Sequence, residues 1–211
     1  MRREDYVSAI YRFIEAGLEA RLSDIARELG VTPPTAAKTL SRLEDEGYVI
    51  KRGTTYLLTR RGLEMALRVI RNHRVIEKFL VDVLGVDVGE VHELAHRLEH
   101  VDKFAELLDK HMARPDRCPH GNPIPDRGVE TRAIPLSFVK EGDYVIERIC
   151  ELGKALEYAR KWRLDVGERI RVIETAEHAL RLQLGSRVVA MPLDVARLIF
   201  VRRCEADAHA S

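Results

Sequence analysis

Apolar residues fall at positions 6, 7, 10, 11, 13 and 14 of the stretch 4–16 (EDYVSAIYRFIEA), the recurrence of a helix with one buried stripe, and Gly17 stops it. Residues 22–30 (LSDIARELG) predict a short helix in which Ser23 caps the start and Gly30 closes the end. After Val31-Thr32-Pro33 a second helix opens at Pro34 and runs through Leu40 and Leu43 to Gly47, with Thr32 as N-cap and prolines in the first turn. Two helices joined by a tight Gly-Val-Thr turn predict a helix-turn-helix. Residues 48–59 then read as a hairpin around Gly53, the wing of such a module. From Arg61 to Leu84 the pattern is one long helix, broken at 85–89 by Gly-Val-Asp-Val-Gly. A further helix is predicted from about Glu90 to Met112, with Val91, Leu94, Ala95, Leu98, Val101 and Phe104 as its apolar positions.

Residues 114–135 hold five of the eight prolines together with Gly121 and Gly128, which predicts a linker without regular structure. Beyond it the period changes to that of strands. Residues 143–152, 168–174, 179–184 and 186–191 alternate or are β-branched, with Gly185 at a turn and a short helix near 155–162. The expected fold is mainly α with a smaller β part. It comprises a winged helix-turn-helix domain over 1–70, a helical domain with the proline-rich linker over 71–130, and a small β-barrel over 131–211.

Composition changes this picture little. At 211 residues, 45% hydrophobic and 33% charged, the chain is an ordinary globular protein long enough for more than one domain. No apolar run approaches a membrane span and the N-terminus lacks a signal-peptide core, so the expected location is the cytoplasm. Cys118, Cys150 and Cys204 are widely spaced, without a C-x-x-C pair, and give neither a disulfide framework nor a zinc finger. The net charge of +1 hides a gradient: residues 1–75 carry 14 Lys/Arg against 10 Asp/Glu, and the remainder 21 against 24. That basic bias permits contact with phosphates.

The chemistry is concentrated in residues 73–100, which hold four of the eight histidines. His73 and Glu77 lie one helical turn apart and share a face; His92, His96, Glu99 and His100 fall within another narrow arc. Imidazole nitrogens and carboxylate oxygens converging from two helices suit a first-row divalent metal. The string His92-Glu-Leu-Ala-His96 also spells a zincin motif, in which Glu93 would activate a zinc-bound water; Glu99 and His100 would crowd that face. On the second helix of the helix-turn-helix, Thr32, Pro34, Thr35, Lys38, Thr39 and Arg42 would face a major groove or its phosphates, with Arg52 and Thr54 on the wing. Cys118 reads as an ordinary thiol, and Tyr6, Tyr11, Phe79, Phe104 and Trp162 as core.

Taken together, Glu4-Asp5-Tyr6 with Ile10-Tyr11, Asn72-His73-Arg-Val-Ile-Glu77, Val91-His92 with Arg97-Leu98-Glu99-His100, and Pro119-His120-Gly-Asn122-Pro-Ile-Pro125 are similar to the diphtheria toxin repressor family of iron- and manganese-dependent transcription regulators. The resemblance spans roughly residues 1–125, and the C-terminal part resembles the SH3-like, FeoA-type domain that many members carry. It implies a primary metal site at Asp5, His96, Glu99 and His100, and an ancillary site at His73, Glu77 and His92. Asp5 is the residue type of manganese sensors, whereas His96 follows neither the iron nor the manganese pattern. Ser8 stands where manganese sensors carry a second acidic ligand. Glu147 and Glu151 are the candidates for ligands supplied to the ancillary site by the barrel domain.

These readings combine into a homodimeric, metal-activated repressor acting on an inverted-repeat operator in double-stranded DNA, with the helices of residues 61–112 as the dimer face. The ion would be Mn2+ or Fe2+, with Zn2+ or Co2+ able to occupy the site in vitro. Two other functions remain open at this point: a zinc metallohydrolase built on the HELAH string, and an iron-transport accessory acting through residues 135–211.

Overall fold

The computed structural model describes residues 1–204, which form two compact units. The first comprises Met1–Cys118 and Pro123–Gly128; the second comprises Pro119–Asn122 and the chain from Val129 onward. Among the described residues no helix is long and apolar enough to cross a membrane.

The first unit begins with α1 (Arg3–Glu15), which buries Tyr6, Val7, Ile10 and Phe13. The helix-turn-helix follows as α2 (Leu22–Glu28) and α3 (Pro33–Asp45). Thr32 caps α3 by accepting from the Thr35 N–H at 3.4 Å, and Ala36, Leu40 and Leu43 form its buried stripe. Ser23 does not cap α2 as the sequence predicts. The helix already starts at Leu22, because Arg21 arrives in an extended conformation, bridged to Thr55 of the wing. The wing itself is the antiparallel pair β1 (Val49–Arg52) and β2 (Thr55–Leu58), in register from Val49↔Leu58 to Arg52↔Thr55.

The long helix α4 (Arg60–Asp82) is joined to the wing by a close approach. Thr59 accepts from the Gly62 N–H at 3.0 Å, while its own hydroxyl lies 2.7 Å from the Gly47 carbonyl. A Cβ on Gly62 would sit 2.0 Å from the Tyr48 carbonyl oxygen, so only glycine lets the first turn of α4 lie against the end of the recognition unit. Farther along, Val75, Ile76 and Leu80 of α4 pack with Val91, Ala95, Ala105, Leu108 and Ile124 in one core.

The sequence predicts one helix over 90–112; the structure has two, α5 (Val88–Leu98) and α6 (Asp102–His111). The break is held from α4. Asn72, buried, donates from Nδ2 to the Glu99 carbonyl at 3.0 Å and to the Asp102 carboxylate at 2.7 Å, taking the carbonyl that helix continuation would have used. The proline-rich segment has an isolated bridge between Arg117 and Pro123 and, against expectation, ends in a short strand at Ile134–Pro135; it is well packed. Ile124 enters the helical core and Arg127 pairs with Asp109 of α6.

The second unit is a six-stranded antiparallel sheet in the order β3-β8-β4-β5-β6-β7. Its strands are β3 (Ile134–Pro135), β4 (Gly142–Ile149), β5 (Arg169–Thr175), β6 (Ala179–Leu184), β7 (Arg187–Pro192) and β8 (Ile199–Arg203). Helix α7 (Gly153–Trp162) joins β4 to β5, and the short α8 (Leu193–Ala196) joins β7 to β8. Strand β8, which the alternation along the sequence does not mark, returns to pair with β4.

Gly62→Ala tests the close approach between α4 and the wing. Alanine is ordinarily the better helix residue by about 1 kcal/mol. Here the substitution is expected instead to destabilise the chain by about 1–3 kcal/mol, as overpacking does. Urea denaturation of the two proteins checks the sign.

Candidate metal centre

Two polar clusters are buried between α1, α4 and α5 in the first unit. Helix α4 presents His73 and Glu77 from successive turns, both fully buried, and α5 presents His92 opposite them. His73 Nε2 lies 2.9 Å from Glu77 Oε1 and 3.0 Å from His92 Nδ1, and His92 Nδ1 is 3.1 Å from the same Glu77 oxygen. Three donor groups thus point at one place.

The second cluster is assembled from distant parts of the chain. Asp5 sits in the first turn of α1, where its Oδ2 accepts the Arg2 N–H. His96 comes from α5, Glu99 from the residue that ends it, and His100 from the turn that follows. Ligand atoms of Asp5, His96 and Glu99 lie within 4.8 Å of one another. His100 Nε2 is 2.8 Å from Asp5 Oδ1, and His96 Nδ1 is 2.8 Å from Glu99 Oε1. Yet Asp5 Oδ1 and Glu99 Oε1 are buried and accept no properly oriented hydrogen bond among the described residues. Each oxygen thus has a histidine nitrogen close by without a well-oriented hydrogen bond, and two buried carboxylates this close together suit a cation between them. Ser8 adds no ligand, since its hydroxyl donates to the Glu4 carbonyl one turn back at 2.9 Å.

Electrostatics distinguish the rings. Burial alone would strip the proton from His73, but the Glu77 and Glu99 carboxylates outweigh it and lift the pKa from its ordinary 6.5 to about 9. His92 moves the other way, to about 4, through burial and then repulsion from His73. Burial opposes the charge on Glu99, but His73, His96 and Arg12 override it and hold the carboxyl well below the usual range.

His92 and His96 serve different clusters, and Glu93 is exposed on the outer face of α5, so the HELAH string does not build a zincin site. Cys118, expected to be an ordinary thiol, is buried with its sulfur within 4.8 Å of a Glu77 carboxylate oxygen. In the second unit His120 and Glu151 are both buried with ligand atoms within 4.8 Å of each other, while Glu147 on β4 accepts from the Thr131 hydroxyl at 2.9 Å. The Cys-x-His spacing at 118–120 was the available signal for the first of these and carried too little weight alone. Tyr6 is fully buried, as expected of a core aromatic, and Phe79 and Phe104 pack against the helical core.

On the recognition unit, Thr32, Pro34, Thr35, Lys38 and Arg42 are exposed along α3, Arg52 and Thr54 on the wing, and Thr39 is half-buried. Arg42 is held by Glu46 at 3.0 Å. Sequence reasoning missed Arg21, Ser23 and Lys51, which line a cavity of about 390 Å3 together with Pro33 and Thr54.

Known proteins resemble this chain along nearly its whole length. The family model for the iron dependent repressor N-terminal DNA binding domain matches residues 1–55. That for the iron dependent repressor metal binding and dimerisation domain matches 59–126, and that for the FeoA domain matches 134–203. The iron-dependent repressor IdeR of Mycobacterium leprae is 40% identical over 125 residues, 58% of this chain and 54% of that protein, so the match spans about half the relative's length. The diphtheria toxin repressor of Corynebacterium glutamicum is 32% identical over 170 residues, covering 73% of this chain and 72% of that protein. Among solved structures, the manganese regulator SloR superimposes with a TM-score of 0.84 at 30% identity, covering 96% of this chain and 98% of that one. ScaR with bound Zn2+ gives 0.81 at 33% identity, covering 96% and 100%.

The two histidine shifts set a pH profile for the metal-free chain. His73, raised when folded, contributes stability that is complete below pH 6.5 and is lost as pH rises towards 9, by at most about 3 kcal/mol. His92, depressed when folded, lowers stability as pH falls from 6.5 towards 4. Urea midpoints measured in chelator should therefore peak near pH 6.5; a flat profile from 5 to 9 would contradict these assignments.

Proposed function

Because this chain belongs to the diphtheria toxin repressor family of iron-dependent repressors, we propose that it is a metal-activated, DNA-binding transcription repressor that controls iron or manganese homeostasis in the cytoplasm. The observation that carries the reading is the pair of buried, donor-poor oxygens on Asp5 and Glu99, brought together from α1 and the end of α5. Asp5, His96, Glu99 and His100 form the primary site; His73, Glu77 and His92 form the ancillary site. A bound divalent cation supplies the positive charge that two buried carboxylates need to stay close. The primary donors are nitrogen and oxygen, without thiolate or thioether. That set suits Mn2+ or Fe2+, while Zn2+ and Co2+ enter by affinity alone.

The residues of the chain turn this charge balance into a DNA-binding decision. Asp5 drawn towards Glu99 fixes α1, and α1 packs against the helix-turn-helix and α4. The exposed face of α3 then lies at a set position for the major groove, with Arg21, Lys51 and Arg52 beside it for the phosphates. Each tenfold preference of the cation for the ordered arrangement is worth about 1.4 kcal/mol, so two orders of magnitude are enough to govern occupancy of DNA. By reciprocity, DNA tightens cation binding.

Leu94 and Leu98 on α5, with Val101 and Leu107 beyond, leave an exposed apolar strip on the outer side of the helical unit, suited to a second copy of the chain. A two-fold dimer presents two α3 helices to an inverted-repeat operator. The metallohydrolase alternative is set aside by the divergence of His92 and His96. The iron-transport alternative leaves the matches over residues 1–126 without a role.

Asp5→Asn is expected to keep the fold and dimer but lose metal-dependent binding to DNA fragments selected from the genome, measured by fluorescence anisotropy with Mn2+, Fe2+ or chelator. Unchanged metal dependence would remove Asp5 from the switch. Lys38→Ala should weaken binding about tenfold and reduce the salt slope by about 1. An unaltered slope would take Lys38 off the phosphates.

A further inference from the structure

His73 takes part in both clusters. Its Nε2 faces Glu77 and His92 at 2.9 and 3.0 Å, and its Nδ1 lies 2.6 Å from Glu99 Oε2. Glu99 divides its own oxygens in the same way, with Oε2 on the His73 ring and Oε1 in the Asp5 cluster. Arg12 Nη2, the other cation near Oε2, is 3.9 Å away, beyond hydrogen-bond reach. His73 is therefore the direct donor to that oxygen.

An imidazole that gives Nδ1–H to a carboxylate leaves a lone pair on Nε2, the form that ligates a metal. Such carboxylate–histidine pairs orient metal ligands in many sites. Here the carboxylate that would orient the ancillary ligand is itself a ligand of the primary site. Glu99 closes α5 with Oε1 2.8 Å from His96 of the preceding turn and Oε2 on His73, so the His73 bond holds the second oxygen and with it the rotation of the carboxylate that aims Oε1.

We infer that His73 has a separate task on each nitrogen: Nε2 is a ligand of the ancillary site, and Nδ1–H positions Glu99 for the primary site. This rests on reading both clusters as metal sites. With respect to the primary site His73 is a positioning residue, and its loss would leave Glu99 Oε2 buried without its donor.

Asparagine and glutamine separate the two tasks, because Asn Nδ2 occupies the place of the ring Nδ1 and Gln Nε2 that of the ring Nε2. Manganese binding to the full chain, followed by electron paramagnetic resonance titration, gives the stoichiometry and the affinity of each site. His73→Asn is expected to lose the ancillary ion and keep the primary affinity within about threefold. His73→Gln and His73→Phe are expected to weaken the primary site about tenfold or more. Equal primary affinity in the Asn and Gln variants overturns the inference. Should the Gln and Phe variants misfold, the unaltered chain still decides the matter. Long-range 1H–15N spectra with Cd2+ added must show the His73 proton on Nδ1; a proton on Nε2 overturns the inference. If the unaltered chain takes up no Mn2+, or Asp5→Asn binds it as well as the unaltered chain, the metal-site reading has failed instead.

Discussion

Glu99 is a fully buried carboxylate at the end of a helix, and the helical unit is organised around meeting its charge. An isolated carboxylate taken out of water is unfavourable by several kcal/mol even after the protein relaxes. Three cationic or donor groups answer it: His73 from α4, His96 from the preceding turn of α5, and Arg12 from α1. Each comes from a different helix. The charge on one side chain thus ties together the element that begins the DNA-binding unit and the two that carry the candidate ligands. These partners hold the Glu99 carboxyl well below the usual carboxylate range, against the opposing effect of burial.

The same helices are joined at further points, and these connect the start of α1, where Asp5 sits, to the wing. Arg74, buried on α4, makes a forked pair with Glu15 at the end of α1 and donates to the Pro123 carbonyl. Arg68, two turns earlier, spans Glu4 at 3.7 Å and Asp102 at 2.7 Å, holding the start of α1 and the start of α6 to one side chain. At its own N-terminus α4 is pressed against the wing through Thr59 and Gly62. Helix α1 is therefore tied to a stiff rod at both ends, and the rod leads straight to the wing. Close-packed contacts of this kind transmit displacement instead of absorbing it.

The sequence made much of this legible, for identifiable reasons. The helix-turn-helix and wing follow from the Thr32 cap, prolines and the glycines at 30, 47 and 53, all local features, and the structure places them within a residue or two. His73 and Glu77 sit one turn apart on a long helix, where spacing alone fixes their relation. For Glu99 the sequence predicts a different geometry: a continuous helix over 90–112 would set it on the same face as His96. In fact the helix ends at Leu98, and Asn72 reaches across from α4 to capture the Glu99 carbonyl. No pattern along residues 90–112 encodes that break, because its cause lies on another element. Buried Cys118 and the strand β8 escaped for related reasons. One sits in a proline-rich stretch whose packing composition does not reveal; the other, Ile-Phe-Val-Arg-Arg, lacks the alternation that marks a strand.

The HELAH string shows why spacing is not enough to define a site. Two histidines four residues apart on a helix share a face, and a zincin would use both on one ion. Here Nδ1 of His92 turns back to His73 and Glu77, whereas Nδ1 of His96 turns forward to Glu99. What separates them is the partner that each ring meets. The carboxylate nearest His92 projects from the middle of α4; the one nearest His96 projects from the turn at which α5 stops. A helix break of three residues therefore divides one apparent motif between two clusters. The His73 ring, lying between Glu77 and Glu99, is the contact through which those clusters remain joined.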